Sequence, residues 1–212
     1  TAMKTKIFFI GLVGTLMLNS VHAQQWNWPE DKAKAEEKNA LYTDNFKQDN
    51  YRAAADHLSW LLINAPNLNR SIYINGVKIY DGLASEEADA AKKIVYQDSV
   101  LTLYDLRIKY FGEEGAVLNR KALDAYRYYN SDQKRYKELY TLFKSTFELN
   151  GRETLDNNLL SYFDVVRRYK LSGGNVSDDE VLAIYEEIIS IATYKIEVVK
   201  KNVDYLKVVV DK

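Results

Sequence analysis

Residues 51–66 read YRAAADHLSWLLINAP, and this stretch decides the fold. Tyr51, Ala54, Ala55, Leu58, Leu61 and Leu62 fall at spacings of three and four, the period of one helix face. Pro66 stops the run, because proline cannot continue a helix. A shift of 45 residues gives YQDSVLTLYDLRIKYF from Tyr96, and a further 40 gives YKELYTLFKSTFELNG from Tyr136. In that alignment Tyr51, Tyr96 and Tyr136 coincide. So do Ala54, Ser99 and Leu139, and Leu58, Leu103 and Phe143. Self-similarity at such an interval marks a repeat array.

The rest of the chain fills in a helix before each of these segments. Trp28-Pro29-Glu30-Asp31 opens a first helix running to about Gln48, with Pro29 in its first turn. Asp49 or Asn50 caps the second, which ends at Asn64. A third spans about Arg70 to Asp81, and Asp81-Gly82 breaks it. Ser85 caps a fourth that reaches Phe111, with Glu86 and Glu87 in its first turn. The fifth covers Glu114 to Tyr129. Ser131 caps a sixth that closes at Asn150-Gly151. The seventh runs from about Thr154 to Leu171. Ser177 and Glu180 form a capping box for the eighth, with Val176 stapled onto Val181. Eight helices with short connections give a bundle or a solenoid. The internal repeats select the solenoid.

Segment 35–80 resembles the tetratricopeptide repeat (TPR). Tyr51, Ala54, Leu58 and Pro66 match that family's second helix and closing proline at its spacing. Ile72, Gly76 and Ile79 match the large, small and large positions of its first helix. Leu61 and Asn75 depart from the pattern, and the likeness weakens after residue 80. The texture of LTLYDLRIKYFGEEGAVLNRKALDAYRYY is similar to that of secreted TPR proteins of Bacteroidota. The resemblance implies an all-α fold of antiparallel helix pairs stacked as a right-handed α-solenoid. It also implies that the first helices line a concave groove. The groove positions would be Glu36, Asn39, Thr43, Phe46 and Lys47 in one unit and Arg70, Tyr73, Val77 and Tyr80 in the next. The plainer alternative is that these residues pack on the following helix.

The N-terminal residues read as an address. Thr1 and Ala2 precede Met3 as a cloning scar. Lys4 and Lys6 then lead an apolar run from Ile7 to Leu18, and Val21-His22-Ala23 offers small residues before a cut at Gln24. That pattern is a secretory signal peptide over residues 1–23, with an uncleaved anchor as the alternative. Residues 24–212 form the repeat domain. The chain ends on Val208-Val209-Val210-Asp211-Lys212 without a turn signal, which reads as the N-terminal part of a longer array.

Composition narrows the function. Lys and Arg number 29 against 30 acidic residues, so no basic excess exists to hold nucleic acid. The chain has no cysteine and two histidines, which removes thiol chemistry, disulfides and most zinc sites. His57 lacks partner ligands. Gly173-Gly174-Asn175 lacks the strand and lysine of a phosphate loop. Acidic doublets such as Glu86-Glu87, Glu113-Glu114 and Asp178-Asp179 suit helix starts. Pairs Asp105 with Lys109 and Lys134 with Glu138 read as one-turn surface supports.

The expectation is therefore a non-enzymatic scaffold without cofactor or metal. It binds a protein or peptide in the concave groove, in the periplasm or at the inner face of the outer membrane, and meets the membrane only through partners. Glycan binding, or a place in an envelope secretion or motility complex, is the alternative.

Overall fold

The computed structural model describes residues 26–210. The signal-peptide reading falls on residues outside these. Eight α-helices make up the described chain: α1 Lys32–Lys47, α2 Tyr51–Asn64, α3 Ser71–Glu86, α4 Ala90–Phe111, α5 Glu114–Tyr129, α6 Tyr136–Asn150, α7 Asp156–Leu171 and α8 Asp178–Val210. Each packs on its neighbours in sequence, and α5 also meets α7. No described residue lies in a strand. The fold is an all-α array of antiparallel helix pairs stacked as a solenoid.

Polar contacts between units repeat the spacing of the sequence. Arg52 reaches the Tyr96 hydroxyl across 44 positions, Tyr126 donates to Asp164 across 38, and Tyr140 donates to Glu180 across 40. These contacts join helices two apart and running in the same direction. The repeat-equivalent Leu58, Leu103 and Phe143 are all buried. Gly76 of α3 lies between the first two. A β-carbon there would stand 3.1 Å from Leu103 and 3.2 Å from Leu58, so the glycine lets adjacent units close on one helix.

Two cores result. Ala35, Tyr42, Leu58, Leu61, Ile72, Tyr73 and Leu103 belong to one, built by α1 to α4. Leu101, Phe143, Phe147, Tyr162, Val166 and Ile188 belong to the other, built by α4 to α8. Helix α4 serves both.

Several helix ends differ from the sequence reading, each for a local reason. Helix α1 begins at Lys32, where the Asp31 side chain accepts from the Lys34 amide, so Pro29 stands ahead of the cap. The preceding residues are held elsewhere: the Asn27 amide donates to the Leu68 carbonyl, and its side chain donates to Asn67. Trp26 stacks on Trp28 at 5.2 Å. Gly82 does not break α3, which continues to Glu86. A β-carbon at Gly82 would lie 2.5 Å from the Tyr51 ring, so this glycine serves close packing inside the helix. Ser85 donates back to the Asp81 carbonyl within α3, and Asp89 caps α4 through the Ala91 and Lys92 amides. Asp132 rather than Ser131 caps the entry to α6, through a short 3-10 turn at Gln133–Arg135.

The capping box at α8 is half made. The Glu180 amide donates to Ser177 Oγ, but the Glu180 carboxylate receives Tyr140 and Lys144 of α6 instead. The expected one-turn pairs also exchange partners. Asp105 meets Lys121 at 2.6 Å, and Glu138 meets Arg135 at 2.8 Å.

A buried amide pair locks α5 to α7. Asn158 Nδ2 donates to both oxygens of Asn119, while Asn119 accepts the Leu155 amide and donates to the Glu153 carbonyl. Truncating Asn119 orphans these groups in a dry site. Asn119→Ala is expected to cost about 2–3 kcal/mol in chemical denaturation, against under about 0.5 kcal/mol for Asn157→Ala on the exposed face of α7.

Candidate binding groove

Helices α3 and α5 run side by side and are tied at both ends. At one end Glu113 accepts Arg70 at 2.8 Å and Arg107 at 2.7 Å. At the other, Asp81 accepts Arg127 at 3.0 Å and the Tyr128 hydroxyl at 2.6 Å. Between the ties the two helices leave a cavity of about 660 Å³. Leu103 and Tyr104 of α4 form its floor, Ile74 and Val77 its apolar wall, and Lys78, Arg107 and Arg120 its charged rim.

Local sequence places each part. Gly112 takes φ +71° at the end of α4, and Glu113 follows in the left-handed region at φ +59°. This tight corner aims the Glu113 carboxylate back over α3. The hydrogen bond from Arg107 is the main influence that holds Glu113 below the usual carboxylate range, with Arg70 adding to it. Its share of the tie is therefore complete above the ordinary glutamate value and is lost as pH falls through the lowered one.

The rim is unbalanced. Glu113 is shared by Arg70 and Arg107. Lys78 and Arg120 have no ion pair with any carboxylate among the described residues. The Nε of Arg107 is buried and has no hydrogen-bond partner among the described residues. This donor is closed to solvent, so it is a cost of the packing and not a ligand contact. Tyr104 donates to Asp124 Oδ2 at 2.7 Å, and burial, foremost, pushes its phenol upward. Tyr73 is also raised by burial. Both hydroxyls stay neutral at physiological pH, which suits a binding wall and supplies no acid or base near neutrality.

Of the residues expected in a groove, Arg70, Tyr73 and Val77 line this cavity together. Tyr73 is buried in the N-terminal core, and its hydroxyl donates to the Pro66 carbonyl at 2.7 Å, so only part of it meets the cavity. Tyr80 lies one turn further along the same face of α3. It lines a separate depression of about 380 Å³ with Leu62 of α2 and Val95 and Thr102 of α4.

The α1 residues stand apart from both cavities. Thr43 donates to the Asn39 carbonyl at 2.6 Å, Phe46 packs on the core, and Lys47 pairs with Asp44 at 3.5 Å. Glu36 pairs with Lys32 at 3.5 Å. Asn39 keeps a buried side-chain oxygen without a partner among the described residues.

Sequence reasoning missed Lys78, Arg107 and Arg120. A usable signal was the similar separation of Arg70 from Glu113 and of Asp81 from Arg127, which sets the two helices in register.

His57 lies near Lys38, with 3.4 Å between the two nitrogens, and has no second metal-ligating neighbour of the expected kind. Among the described residues no group of three or more His, Asp or Glu side chains is placed to hold a metal ion. No described helix is long and apolar enough to cross a membrane.

The chain matches no protein-family model, and no curated protein is significantly similar to it.

Proposed function

We propose that this chain is an exported, TPR-like protein-binding scaffold, and that the groove between α3 and α5 docks an acidic segment of a protein partner. One observation carries the reading. Four cations, Arg70, Lys78, Arg107 and Arg120, line an apolar-floored cavity that no carboxylate lines; Glu113 and Asp81 stand at its two ends and Asp124 behind Tyr104. An acidic side chain would pair with the exposed Lys78 and Arg120, and neighbouring apolar residues would cover Ile74, Val77 and Leu103. Extended or helical peptides commonly divide recognition in this way between charged anchors and apolar pockets. The two end ties fix the groove width before anything binds, which lowers the ordering cost of association.

The signal-peptide reading of residues 1–23 supports a place for this activity in the periplasm or at the inner face of the outer membrane. The test is a capture experiment from an envelope extract with the protein as bait, repeated in the presence of excess soluble polyglutamate. Proteins that are held by the bait and displaced by the polyanion are expected. Capture that resists both polyglutamate and high salt would mean that the cationic groove is not the docking site.

A further inference from the structure

The last helix carries a second face that the groove does not use. Helix α8 is 33 residues long, about twice α7. Its inner face, Ile184, Ile188 and Ile191, is buried against the body. The body ends near Tyr194, which lies 4.2 Å under the Arg152 guanidinium, and Lys195, which pairs with Asp156 at 2.9 Å. From Ile196 to Asp204 every side chain is exposed.

Beside the buried stripe runs a second apolar row. Leu182, Ile189, Ile196 and Val203 recur every seven residues, and Tyr185, Ala192 and Val199 recur three places after the first three of them. This is the three-four alternation of a coiled-coil seam. It extends over residues 182–203, about 33 Å of helix. Leu182, Ile189, Ile196, Val199 and Val203 are between 45 and 68% exposed. Nothing in the described chain covers them.

We propose that this seam pairs antiparallel with the same seam of a second copy of the chain. The flanking charges choose both the partner and the direction. On the flank away from α7 stand Glu186, Thr193, Lys200 and Lys207, acid toward the start of the helix and base toward its end. Set Ile196 level with Val199 of the second copy in an antiparallel pair. Glu186 of each copy then falls beside Lys207 of the other, and Thr193 beside Lys200. A parallel pair would instead bring Lys195 of one copy toward Lys200 of the other. Charges at these flanking positions set orientation in coiled coils. The sequence is thus self-complementary in one direction only. In this register the stretch from Ile189 to Val203 of each α8 lies along the other helix, and Leu182 stays outside the pair.

Light scattering coupled to size exclusion tests this. The expected mass is twice the 24.5 kDa of the chain. Ile196→Glu with Val199→Glu places four carboxylates in the seam of the pair, and is expected to raise the dimer dissociation constant by at least about a hundredfold. Both residues are exposed in the single chain, so its helical circular dichroism is expected to persist. The orientation has its own readout. Lys207→Glu alone is expected to weaken the dimer, and adding Glu186→Lys to restore it. A monomer for the unaltered protein would overturn the proposal and leave the seam to another chain or to further residues of a longer protein. A dimer indifferent to the seam substitutions would overturn it as well. A charge swap that fails to restore pairing would overturn the antiparallel register.

Discussion

Phe143→Ala is expected to unfold the C-terminal half of the array before the N-terminal half. Phe143 is fully buried on α6. Its ring stacks on Tyr162 of α7 at 5.7 Å and meets Tyr126 of α5 edge-on at 6.2 Å. Removing it takes the centre from a three-helix junction, and such truncations cost about 3–5 kcal/mol when the site cannot collapse. Collapse is hindered here because Tyr162 is also held by Phe147, at 4.5 Å. In a solenoid the loss is felt by the damaged unit and its neighbours.

The chain supplies its own reporters for this. All three tryptophans, Trp26, Trp28 and Trp60, lie in the N-terminal half, and Trp28 and Trp60 pack against the N-terminal core. Far-ultraviolet circular dichroism reports every helix. In Phe143→Ala the circular dichroism transition is expected to begin at lower denaturant than the tryptophan transition. In the unaltered protein the two are expected to lie closer together. Coincident transitions in the variant would mean that α4 couples the two cores too tightly for half the array to unfold alone.

The same residue shows what the sequence could disclose. The alignment of Leu58, Leu103 and Phe143 rests on helical period, and period is a local property that survives into the fold. Helix α5 is likewise delimited by strong local signals, Gly112 before it and Asn130 after it, and occupies the expected Glu114–Tyr129. Gly82 and Ser85 were misleading because their local preferences yielded to contacts from elsewhere. Tyr51 of α2 needs the space that Gly82 leaves, and the extra turn of α3 keeps Ser85 inside the helix.

The groove follows the same division. Arg70, Tyr73 and Val77 share one face of one helix, so spacing alone brings them together. Arg107 and Arg120 join them from α4 and α5 through tertiary packing, which no window of sequence contains. The same limit explains Tyr80. It is one turn from Val77 on the same face, but the neighbours at that level of the helix are residues of α2 and α4, and it meets Tyr96 at 6.4 Å.

Reversing Lys78 and Arg120 together separates binding from folding. Both side chains are exposed at the cavity rim, and neither pairs with a carboxylate among the described residues. Lys78→Glu with Arg120→Glu therefore breaks no ion pair. It relieves the crowding of like charge around Arg107, so stability is expected to stay within about 0.5 kcal/mol of the unaltered protein. An acidic segment in the cavity meets the opposite situation. Two attractions become two repulsions, about 3 kcal/mol in all for partly desolvated charges, or more than a hundredfold in affinity. The effect is expected to shrink as salt is raised, because the screening length is about 10 Å at 0.1 M. Calorimetric titration with a glutamate-rich peptide from a captured partner reads both quantities. Tyr73→Ala, by contrast, empties the buried N-terminal core and is expected to lower stability by about 3–5 kcal/mol, so its loss of binding would carry no information about the groove. A double reversal that folds normally and keeps full affinity would place the acidic segment outside this cavity, since no repulsion of that size can be hidden beside a bound carboxylate.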